Sequence, residues 1–341
     1  MEKLKDPYSG LGQFCLNIGE QYQQMVQKEL DLTFYLPGDK KNIFGTDFNY
    51  KEHSSSHKIF RMSGNEFNVW HCLHQGSHYL PKNKKTKLIL TIHDLNFLEK
   101  YSGAKQKSKL IELQKKVFRA DVVTVISHYT ETVVRNSLKL DGKPIHVIHN
   151  GNSLKTFSSA RTPSFAPKAE FIFSIGIISA KKNFSSLLPL LQYHKELHLI
   201  IAGNNSTDEA ELLKKLATEK GVFNRLHLPG KINDEEKFWL YNNCKAFVFP
   251  SLTEGFGLPV VEAMSLGKPA FLSDLTSLPE VGGSEAFYWL NFGAEHIVHI
   301  FDEGLKAFHA DPNAAQRSIE WSKQFSWKKA AEAYLDLYRS I

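Results

Sequence analysis

The chain has 341 residues, of which 42% are hydrophobic and 23% charged. These values exclude an intrinsically disordered protein, and the length favours two domains over one. The three cysteines form no C-x-x-C pair, so we expect neither a disulfide framework nor a thiolate metal cluster. No apolar stretch at the amino end reads as a signal peptide, and no run reaches the ~20 apolar residues that span a bilayer. The sequence therefore predicts a cytoplasmic protein.

The formal net charge of +6 is unevenly distributed along the chain. Residues 1–150 contain 22 Lys and Arg against 15 Asp and Glu, whereas the remainder contains 20 against 21. Two basic clusters lie in Lys82–Lys87 and Lys100–Arg119. Such clusters are typical of a solvated face, and they also fit attraction to an anionic membrane surface or acceptor. No nucleic-acid recognition motif accompanies them, so we expect no nucleic-acid partner.

Short apolar runs rich in β-branched and aromatic residues alternate with stretches of helical period in both halves of the chain. This alternation predicts parallel sheets in two doubly wound α/β domains that face each other. The predicted strands are Leu32–Leu36, Leu88–His93, Val122–Ile126, Ile145–His149, Phe171–Ile175, Leu197–Ala202, Ala246–Phe249 and Pro269–Leu272. The predicted helices include Ser108–Arg119, Phe184–Tyr193, Asp208–Lys220, Asp234–Asn242, Ala314–Gln324 and Trp327–Arg339.

The predicted linker is Asn150–Lys168, which holds an Asn-Gly pair, several serines and two prolines. It divides the chain into an N-terminal domain (1–165), a C-terminal domain (166–323) and a terminal helix (324–341). Ser326, directly before the last helical stretch, is predicted to be its N-cap.

The segment Phe247–Met264 predicts a strand, a short loop and a helix whose first turn contains Pro259. Gly255 and Gly257 would let the backbone of the loop approach a ligand closely. The free N–H groups at the start of the helix suit a phosphate or a diphosphate.

Glu254 and Glu262 bracket this turn. A carboxylate accepts hydroxyl protons, so two of them beside a phosphate site suit a molecule with sugar, diphosphate and ribose in series. A capped surface helix with incidental acidic residues has the same spacing.

This segment resembles the signature of the retaining glycosyltransferases of family 4, which have the GT-B fold. The flanking segments that also resemble the family are Phe173–Asn183, Lys231–Phe249, Ala263–Phe271, Ser277–Gly283 and Phe325–Lys328. The resemblance is strong over residues 170–341 and weaker over 9–151. It implies two Rossmann-like domains facing across a cleft, an N-terminal domain on the acceptor side, a nucleotide-sugar-binding C-terminal domain and a terminal helix that crosses back.

The resemblance also implies roles for individual residues. Glu262 would bind the ribose hydroxyls, Glu254 would hold hydroxyls of the transferred sugar, and Lys182 would neutralise the departing diphosphate. The backbone amides that would meet the sugar and phosphate are those of Gly255, Phe256, Gly257 and Leu258.

In the N-terminal half, Pro7–Gly12 resembles the glycine-rich loop of the family, which assigns Gly10 and Gly12 to the donor phosphates. The segment lacks the third glycine of the dinucleotide fingerprint, which counts against a dehydrogenase. His93 follows an apolar strand, at the sheet edge where open α/β sheets bind ligands. The resemblance places this histidine beside the transferred sugar, and with Glu254 it is the predicted catalytic residue; a packed or strand-capping histidine is the other interpretation.

The chain contains no Asp-x-Asp pair, which a metal-dependent transferase would use to hold Mg²⁺ on the diphosphate. With Lys182 and a helix start available, this predicts leaving-group stabilisation without a metal, and we expect no cofactor. The spacing of His71, His74 and His78 fits no common zinc site, and a loop of the acceptor cleft is predicted there instead.

These features predict retaining transfer of a hexose from a nucleotide sugar, GDP-mannose first and UDP-sugars next, to a glycan or lipid-linked acceptor. The family resemblance implies surface polysaccharide (lipopolysaccharide-type) biosynthesis, with peripheral contact to an anionic membrane through the basic N-terminal half. A nucleotide-sugar epimerase and a non-catalytic GT-B subunit remain alternatives. Two departures from the family pattern are Ile177, where arginine is frequent, and the first strand, which would lie in Glu2–Lys5 or be missing.

Overall fold

The computed structural model describes residues 1–25, 30–58 and 67–341. They form two compact units: the first comprises residues 1–153 and 325–341, and the second comprises residues 154–324. Residues 154–165, which were predicted to belong to the first domain, therefore pack in the second unit. Lys155 forms a 2.8 Å ion pair with Asp234, and the ring of Phe157 lies 5.9 Å from that of Phe238, which explains the shifted boundary.

The first unit consists of parallel strands in two separate sheets with helices around them. Its strands are β1 (Thr33–Leu36), β2 (Asn49–Glu52), β3 (Val69–Cys72), β4 (Lys87–Ile92), β5 (Val122–Val125) and β6 (Ile145–Val147). Its helices are α1 (Gly10–Met25), α2 (Phe97–Lys100), α3 (Gly103–Arg119), α4 (His128–Ser137) and α12 (Trp327–Ser340). Strands β1 and β2 pair with each other, and the second sheet has the order β3-β4-β5-β6. Strands β4 and β5 are buried almost throughout, as expected for parallel strands covered on both faces.

The second unit contains one six-stranded parallel sheet. Its strands are β7 (Phe171–Ile175), β8 (His198–Ala202), β9 (Leu226–Gly230), β10 (Ala246–Phe249), β11 (Ala270–Ser273) and β12 (Phe287–Trp289). Its helices are α5 (Leu188–Tyr193), α6 (Asp208–Glu219), α7 (Asp234–Asn243), α8 (Leu258–Met264), α9 (Leu278–Gly282), α10 (Ala294–Ala310) and α11 (Ala314–Ser322). The order β12-β11-β10-β7-β8-β9 puts the first strand in the middle, as in dinucleotide-binding folds. The carboxyl ends of the central strands β7 and β10 therefore lie side by side.

The terminal helix α12 packs against α1 inside the first unit. The hydroxyls of Tyr22 and Tyr338 are 2.8 Å apart, and the ring of Phe14 meets Trp327 edge-on at 5.7 Å. The hydroxyl of Ser326 accepts a hydrogen bond from the third residue of the helix, so the predicted N-cap is confirmed.

Each of the eight predicted strands is present within two residues of its predicted bounds. At the amino end, the structure corrects one prediction and decides between the two alternatives left open for the first strand. Pro7–Gly12 is not a loop throughout, because Gly10 and Gly12 lie in the first turn of α1. Glu2–Lys5 forms a 3-10 helix, so it does not supply the first strand. The segment around His71, predicted as a loop, includes strand β3.

Replacing Gly12 by alanine is expected to destabilise the first unit by about 1–3 kcal/mol, the usual cost of overpacking. A Cβ at this position would meet the carbonyl oxygen of Asp6 and the backbone of Pro7, neither of which is a flexible side chain. Gly10→Ala is the matched control, since nothing lies within 4 Å of its Cβ position. Thermal unfolding should show a lower Tm for Gly12→Ala and little change for Gly10→Ala; equal Tm values would contradict this packing.

Candidate functional site

The loop between β10 and α8 has a fixed backbone at its end. Helix α8 begins at Leu258 with Pro259 in its first turn, as predicted. Gly257 has a φ of +114°, and a Cβ there would lie 2.9 Å from the side chain of Leu278. Only glycine suits this position, because the left-handed backbone and the close neighbour both disfavour a side chain.

Glu254, in the middle of this loop, forms a nearly buried ion pair with Lys182. Lys182 Nζ lies 2.5 Å from Glu254 Oε1, and the two side chains retain only 12% and 14% of their exposure. Lys182 ends a 3-10 helix after strand β7, and its ammonium also lies 4.4 Å from the centroid of the Phe249 ring. The structure thus brings together two predicted site residues that are 72 positions apart in sequence.

Burial and charge act in opposite directions on this pair. Burial raises the pKa of Glu254, but the charges of Lys182 and Lys181 and the hydrogen bonds from Lys182 and Ser251 outweigh it and hold that pKa below its ordinary value. For Lys182, burial lowers the pKa more than the charge of Glu254 raises it. Glu254 is therefore ionised. Its negative charge offsets part of the free-energy cost of burying the Lys182 ammonium.

Three hydroxyl side chains hold the Glu254 loop in place. Ser251 Oγ donates to Glu254 Oε1 at 2.6 Å, and the Glu254 backbone N–H donates to Thr276 Oγ1 at 3.1 Å. Ser277 Oγ lies within hydrogen-bond distance of the carbonyl oxygens of Glu254 (3.0 Å) and Phe256 (2.8 Å). The Phe256 side chain is buried and its carbonyl oxygen accepts the hydrogen bond from Ser277.

Glu262 lies on α8 and is 5% exposed. Its two carboxylate oxygens have different partners on α7: Lys237 Nζ at 2.8 Å from Oε1, and the Tyr241 hydroxyl, which donates to Oε2 at 2.9 Å. Burial, reinforced by the charge of Glu262, raises the pKa of Tyr241 well above its ordinary value, so this hydroxyl stays a donor. The carboxylate is thus held in one orientation before any ligand arrives.

Lys237 and Tyr241 were not among the predicted site residues. Both lie on α7, one helical turn apart, so they project from the same face. That spacing is visible in the sequence, but nothing local indicates that the face meets α8.

A glycine lies at or directly after the carboxyl end of each of the neighbouring strands β7, β8 and β9. Gly176, Gly203 and Gly230 all have positive φ values, and a Cβ on Gly203 would meet the carbonyl of Gly176. A Cβ on Gly176 would lie 3.2 Å from Cε of Lys182. The backbone is therefore tightly packed at this sheet edge, where Ile177 is 56% exposed.

In the first unit, His93 is buried and makes a specific hydrogen bond. Its Nε2 lies 2.7 Å from the carbonyl oxygen of Leu73, which must accept, so the proton is on Nε2 and Nδ1 is the acceptor. Burial lowers the pKa of His93 to about 4. The ring of Phe14, on the same helix as Gly10 and Gly12, packs edge-on against it at 4.7 Å. His93 is therefore a neutral imidazole at pH 7, with Nδ1 as its hydrogen-bond acceptor.

The stability of the first unit is expected to fall as the pH drops from about 6.5 to 4. Burial holds the pKa of His93 near 4 and that of His71 near 3, so in this range the unfolded chain binds protons that the folded chain does not. This stabilisation is complete at pH values above the pKa of the histidine in the unfolded chain, and it is lost as the pH falls through the pKa in the folded chain. For His93, the full contribution to the free energy of unfolding is about 3 kcal/mol. Urea unfolding at pH 7 and pH 4.5 measures the loss.

His93→Gln, which can still donate to Leu73, should lose less stability between the two pH values than the wild type does. The control is His128→Gln, at an exposed position, which should keep the wild-type difference. An unchanged pH difference in His93→Gln would contradict the assigned burial.

The histidines considered for a metal have separate partners. His71 uses both ring nitrogens, one with Tyr338 Oη and one with Thr91 Oγ1, each at 2.7 Å. His74 Nε2 lies 2.5 Å from Glu2 Oε1. Within the described residues, His71, His74 and His78 do not converge as a set of metal ligands.

Two family models match the chain: Glycosyltransferase Family 4 over residues 39–155 and Glycosyl transferases group 1 over residues 158–320. A serotype-specific mannosyltransferase, WbdA of Escherichia coli, is 31% identical over 286 residues, which are 74% of this chain and 33% of WbdA. The chain thus spans about a third of the length of this curated relative.

Solved structures share the whole fold at low identity. Sucrose-phosphate synthase from Thermosynechococcus elongatus has a TM-score of 0.75 and 17% identity, covering 97% of this chain and 93% of that one. HepE from Anabaena, solved with UDP and glucose, has a TM-score of 0.73 and 16% identity, covering 98% and 97%. The chain has two α/β units of parallel strands and shares the fold of these structures, which is the GT-B fold. The chain therefore belongs to the family 4, group 1 glycosyltransferases.

Proposed function

We propose that the protein is a retaining hexosyltransferase that uses a nucleotide-diphosphate sugar as donor. The observation that carries the proposal is the buried Lys182–Glu254 pair at the carboxyl ends of β7 and β10, in the same unit as the oriented carboxylate of Glu262. A cation suits a diphosphate, and two carboxylates suit the diols of a sugar and a ribose. The family membership supports this assignment.

In this proposal, the diphosphate of the donor and the carboxylate of Glu254 compete for the ammonium of Lys182. Lys182 is desolvated and paired in the described structure, so an arriving diphosphate takes the place of Glu254 as its counter-ion. Glu254, whose lowered pKa keeps it ionised, then accepts hydroxyls of the transferred sugar. The preorganised ammonium stabilises the negative charge that develops on the leaving diphosphate, without a metal or a cofactor.

We further propose that His93 accepts a hydroxyl of the transferred sugar through Nδ1. With its proton fixed on Nε2 by Leu73, the imidazole presents a lone pair and does not act as an acid at pH 7. The amides of Gly255, Phe256, Gly257 and Leu258 and the backbone at Gly10 and Gly12 are proposed to approach the donor.

Mannose is the first choice of sugar, because the similar Escherichia coli protein is named a mannosyltransferase. The acceptor is then a glycan or lipid-linked saccharide of surface polysaccharide assembly. The test is a panel of GDP- and UDP-sugars in EDTA, read by thermal shift, since ligands that bind only the folded state raise Tm by mass action. GDP-mannose should give the largest shift; a panel in which no nucleotide sugar or nucleoside diphosphate shifts Tm contradicts the proposal.

Peripheral membrane contact at the cytoplasmic face is proposed for helix α3. Within residues 1–25, 30–58 and 67–341, every helix is too short or too polar to cross a bilayer. Helix α3 exposes lysines together with two large apolar side chains, Ile111 and Phe118. Such a combination suits an interfacial helix on anionic lipid.

Lys105→Glu/Lys109→Glu is therefore expected to weaken sedimentation with phosphatidylglycerol vesicles about tenfold or more, since each basic residue near the surface contributes ~1 kcal/mol. Phosphatidylcholine vesicles are the control and should bind neither protein. Equal binding of wild type and variant to both lipids would contradict this contact.

A further inference from the structure

The side chain of Gln75 holds the backbone at His93 by two hydrogen bonds. Strand β4 ends at Ile92, one residue before His93. The His93 backbone N–H donates to Gln75 Oε1 at 3.0 Å, and Gln75 Nε2 donates to the carbonyl oxygen of Asp94 at 2.9 Å. The amide of Gln75 thus supplies both the acceptor and the donor that a paired strand would supply at the point where β4 has ended.

The same short segment also fixes the imidazole ring. The carbonyl oxygen of Leu73, two residues before Gln75, lies 2.7 Å from His93 Nε2. From the first turn of α4, Thr130 Oγ1 donates to the carbonyl oxygen of His93 at 3.3 Å. His93 is therefore held at its N–H, its C=O and its ring, so the direction of Nδ1 depends on these three contacts.

A buried cation on α3 holds the segment that carries Gln75. The side chain of Lys116 is buried, and its ammonium donates to the carbonyl oxygen of Gln75 and to Glu112 Oε1, each at 3.0 Å. An ammonium that loses its hydration on burial needs hydrogen-bond acceptors, and its hydrogen bonds are stronger than those between neutral groups. Lys116 therefore anchors the backbone of Gln75, while the side chain of Gln75 anchors His93.

We propose that Gln75 is a positioning residue for the transfer reaction: its amide fixes the backbone of His93 and thereby the direction of Nδ1, and Lys116 supports it. The proposal rests on the proposed role of His93 as the acceptor of a sugar hydroxyl. Because Gln75 acts through His93, its replacement should affect turnover only while the imidazole is present.

The test compares two glutamines that make the same pair of contacts. Gln75→Met keeps the length of the side chain and removes both hydrogen bonds. Gln114→Met is the matched control, since Gln114 Nε2 donates to the carbonyl oxygen of Lys139 and its Oε1 accepts from the Lys139 backbone N–H, both at 2.8 Å. Each change is made in the wild type and in His93→Phe, which keeps a ring without either nitrogen. Release of GDP from saturating GDP-mannose measures turnover, and hydrogen exchange at the His93 backbone amide measures its protection independently of turnover.

In Gln75→Met, exchange at the His93 amide should become about tenfold faster or more, because the acceptor of this N–H is lost. Turnover should fall about tenfold or more, since a small displacement of a positioned group is costly in rate. In the His93→Phe background, the same change should have little further effect, because residues that act through one another are not additive. Gln114→Met should match its parent protein in both measurements.

Lys116→Met is the second variant, and it leaves the side chain of Gln75 intact. It should lower turnover less than Gln75→Met does, and this loss should also disappear in the His93→Phe background. It therefore tests the same chain of contacts if Gln75→Met does not fold.

A loss of turnover that is as large in His93→Phe as in the wild type would overturn the proposal, because Gln75 would then act on another part of the site. Wild-type exchange or wild-type turnover in Gln75→Met would also overturn it. Wild-type turnover in His93→Phe would contradict the role of His93 itself and, with it, the proposal. If the wild type releases no GDP, the proposed transferase fails, and exchange at the His93 amide alone decides whether Gln75 holds this histidine.

Discussion

Glu262→Gln is expected to weaken the binding of the donor nucleotide about 10- to 100-fold, because hydrogen bonds to a charged group contribute ~1.5–3 kcal/mol each. In the proposed site, the carboxylate oxygens of Glu262 accept hydrogen bonds from the ribose hydroxyls. Because Lys237 and Tyr241 already hold this carboxylate in place, donor binding to the wild type does not have to fix the Glu262 side chain. Glutamine keeps the shape and an acceptor for Tyr241 but has no negative charge. Calorimetric titration with GDP, well below the Tm of both proteins, measures the change.

Glu219→Gln is the matched control, since Glu219 is exposed on α6 and its contact with Lys215 is 3.9 Å long. Its affinity for GDP should equal that of the wild type. Lys237→Met separates orientation from direct contact: a smaller loss than that of Glu262→Gln supports a positioning role for the lysine. An unchanged affinity of Glu262→Gln for GDP would contradict the assignment of Glu262 to the ribose hydroxyls.

Lys182→Met is expected to lower turnover roughly 100- to 1,000-fold, the usual effect of removing one preorganised group that stabilises developing charge. The ammonium of Lys182 is buried beside Glu254 and Phe249, so once the donor diphosphate has replaced Glu254 as its counter-ion, it is already in place when the leaving group departs. The loss should appear mainly in kcat, because the charge on the leaving group grows in the transition state. Release of nucleoside diphosphate from the donor measures it.

Removing the lysine alone also leaves the nearly buried Glu254 without its charged partner, which costs about 3–5 kcal/mol in comparable pairs. The double variant Lys182→Met/Glu254→Gln should regain most of that stability and remain inactive, which separates misfolding from lost chemistry. Lys181→Met is the neighbouring control, because Lys181 is exposed. Turnover equal to the wild type in Lys182→Met, with the fold intact, would contradict the proposed role.

The candidate site was predictable where its signals are local in sequence. Pro259 and the glycines before it indicate a loop and a helix start, and both are present as predicted. The pairing of Glu262 with Lys237 and Tyr241 was not predictable, because it depends on how α7 packs against α8. Likewise, the contact between Lys182 and Glu254 follows from the sheet order, which sequence spacing does not encode.

Helix α1 shows the opposite case, in which the local signal was misleading. The resemblance of Pro7–Gly12 to the glycine-rich loop of the family predicted a loop at Gly10 and Gly12. The structure accepts Gly12 in the first turn because the backbone of Asp6 and Pro7 lies directly against it, which excludes any side chain. Tertiary contact, rather than helix propensity, decides the residue at this position. The similarly missed β12 is a three-residue edge strand, too short to show a period of its own.

The most direct test of the proposed function is the fate of GDP-mannose with the purified wild type in EDTA. We expect slow release of GDP and free mannose, which Lys182→Met nearly abolishes and a suitable acceptor accelerates. Conversion of the donor to an isomeric nucleotide sugar, with no GDP released, would instead identify an epimerase. If no GDP is released and no nucleotide sugar of the panel binds, the result would contradict the transferase and would indicate a non-catalytic subunit.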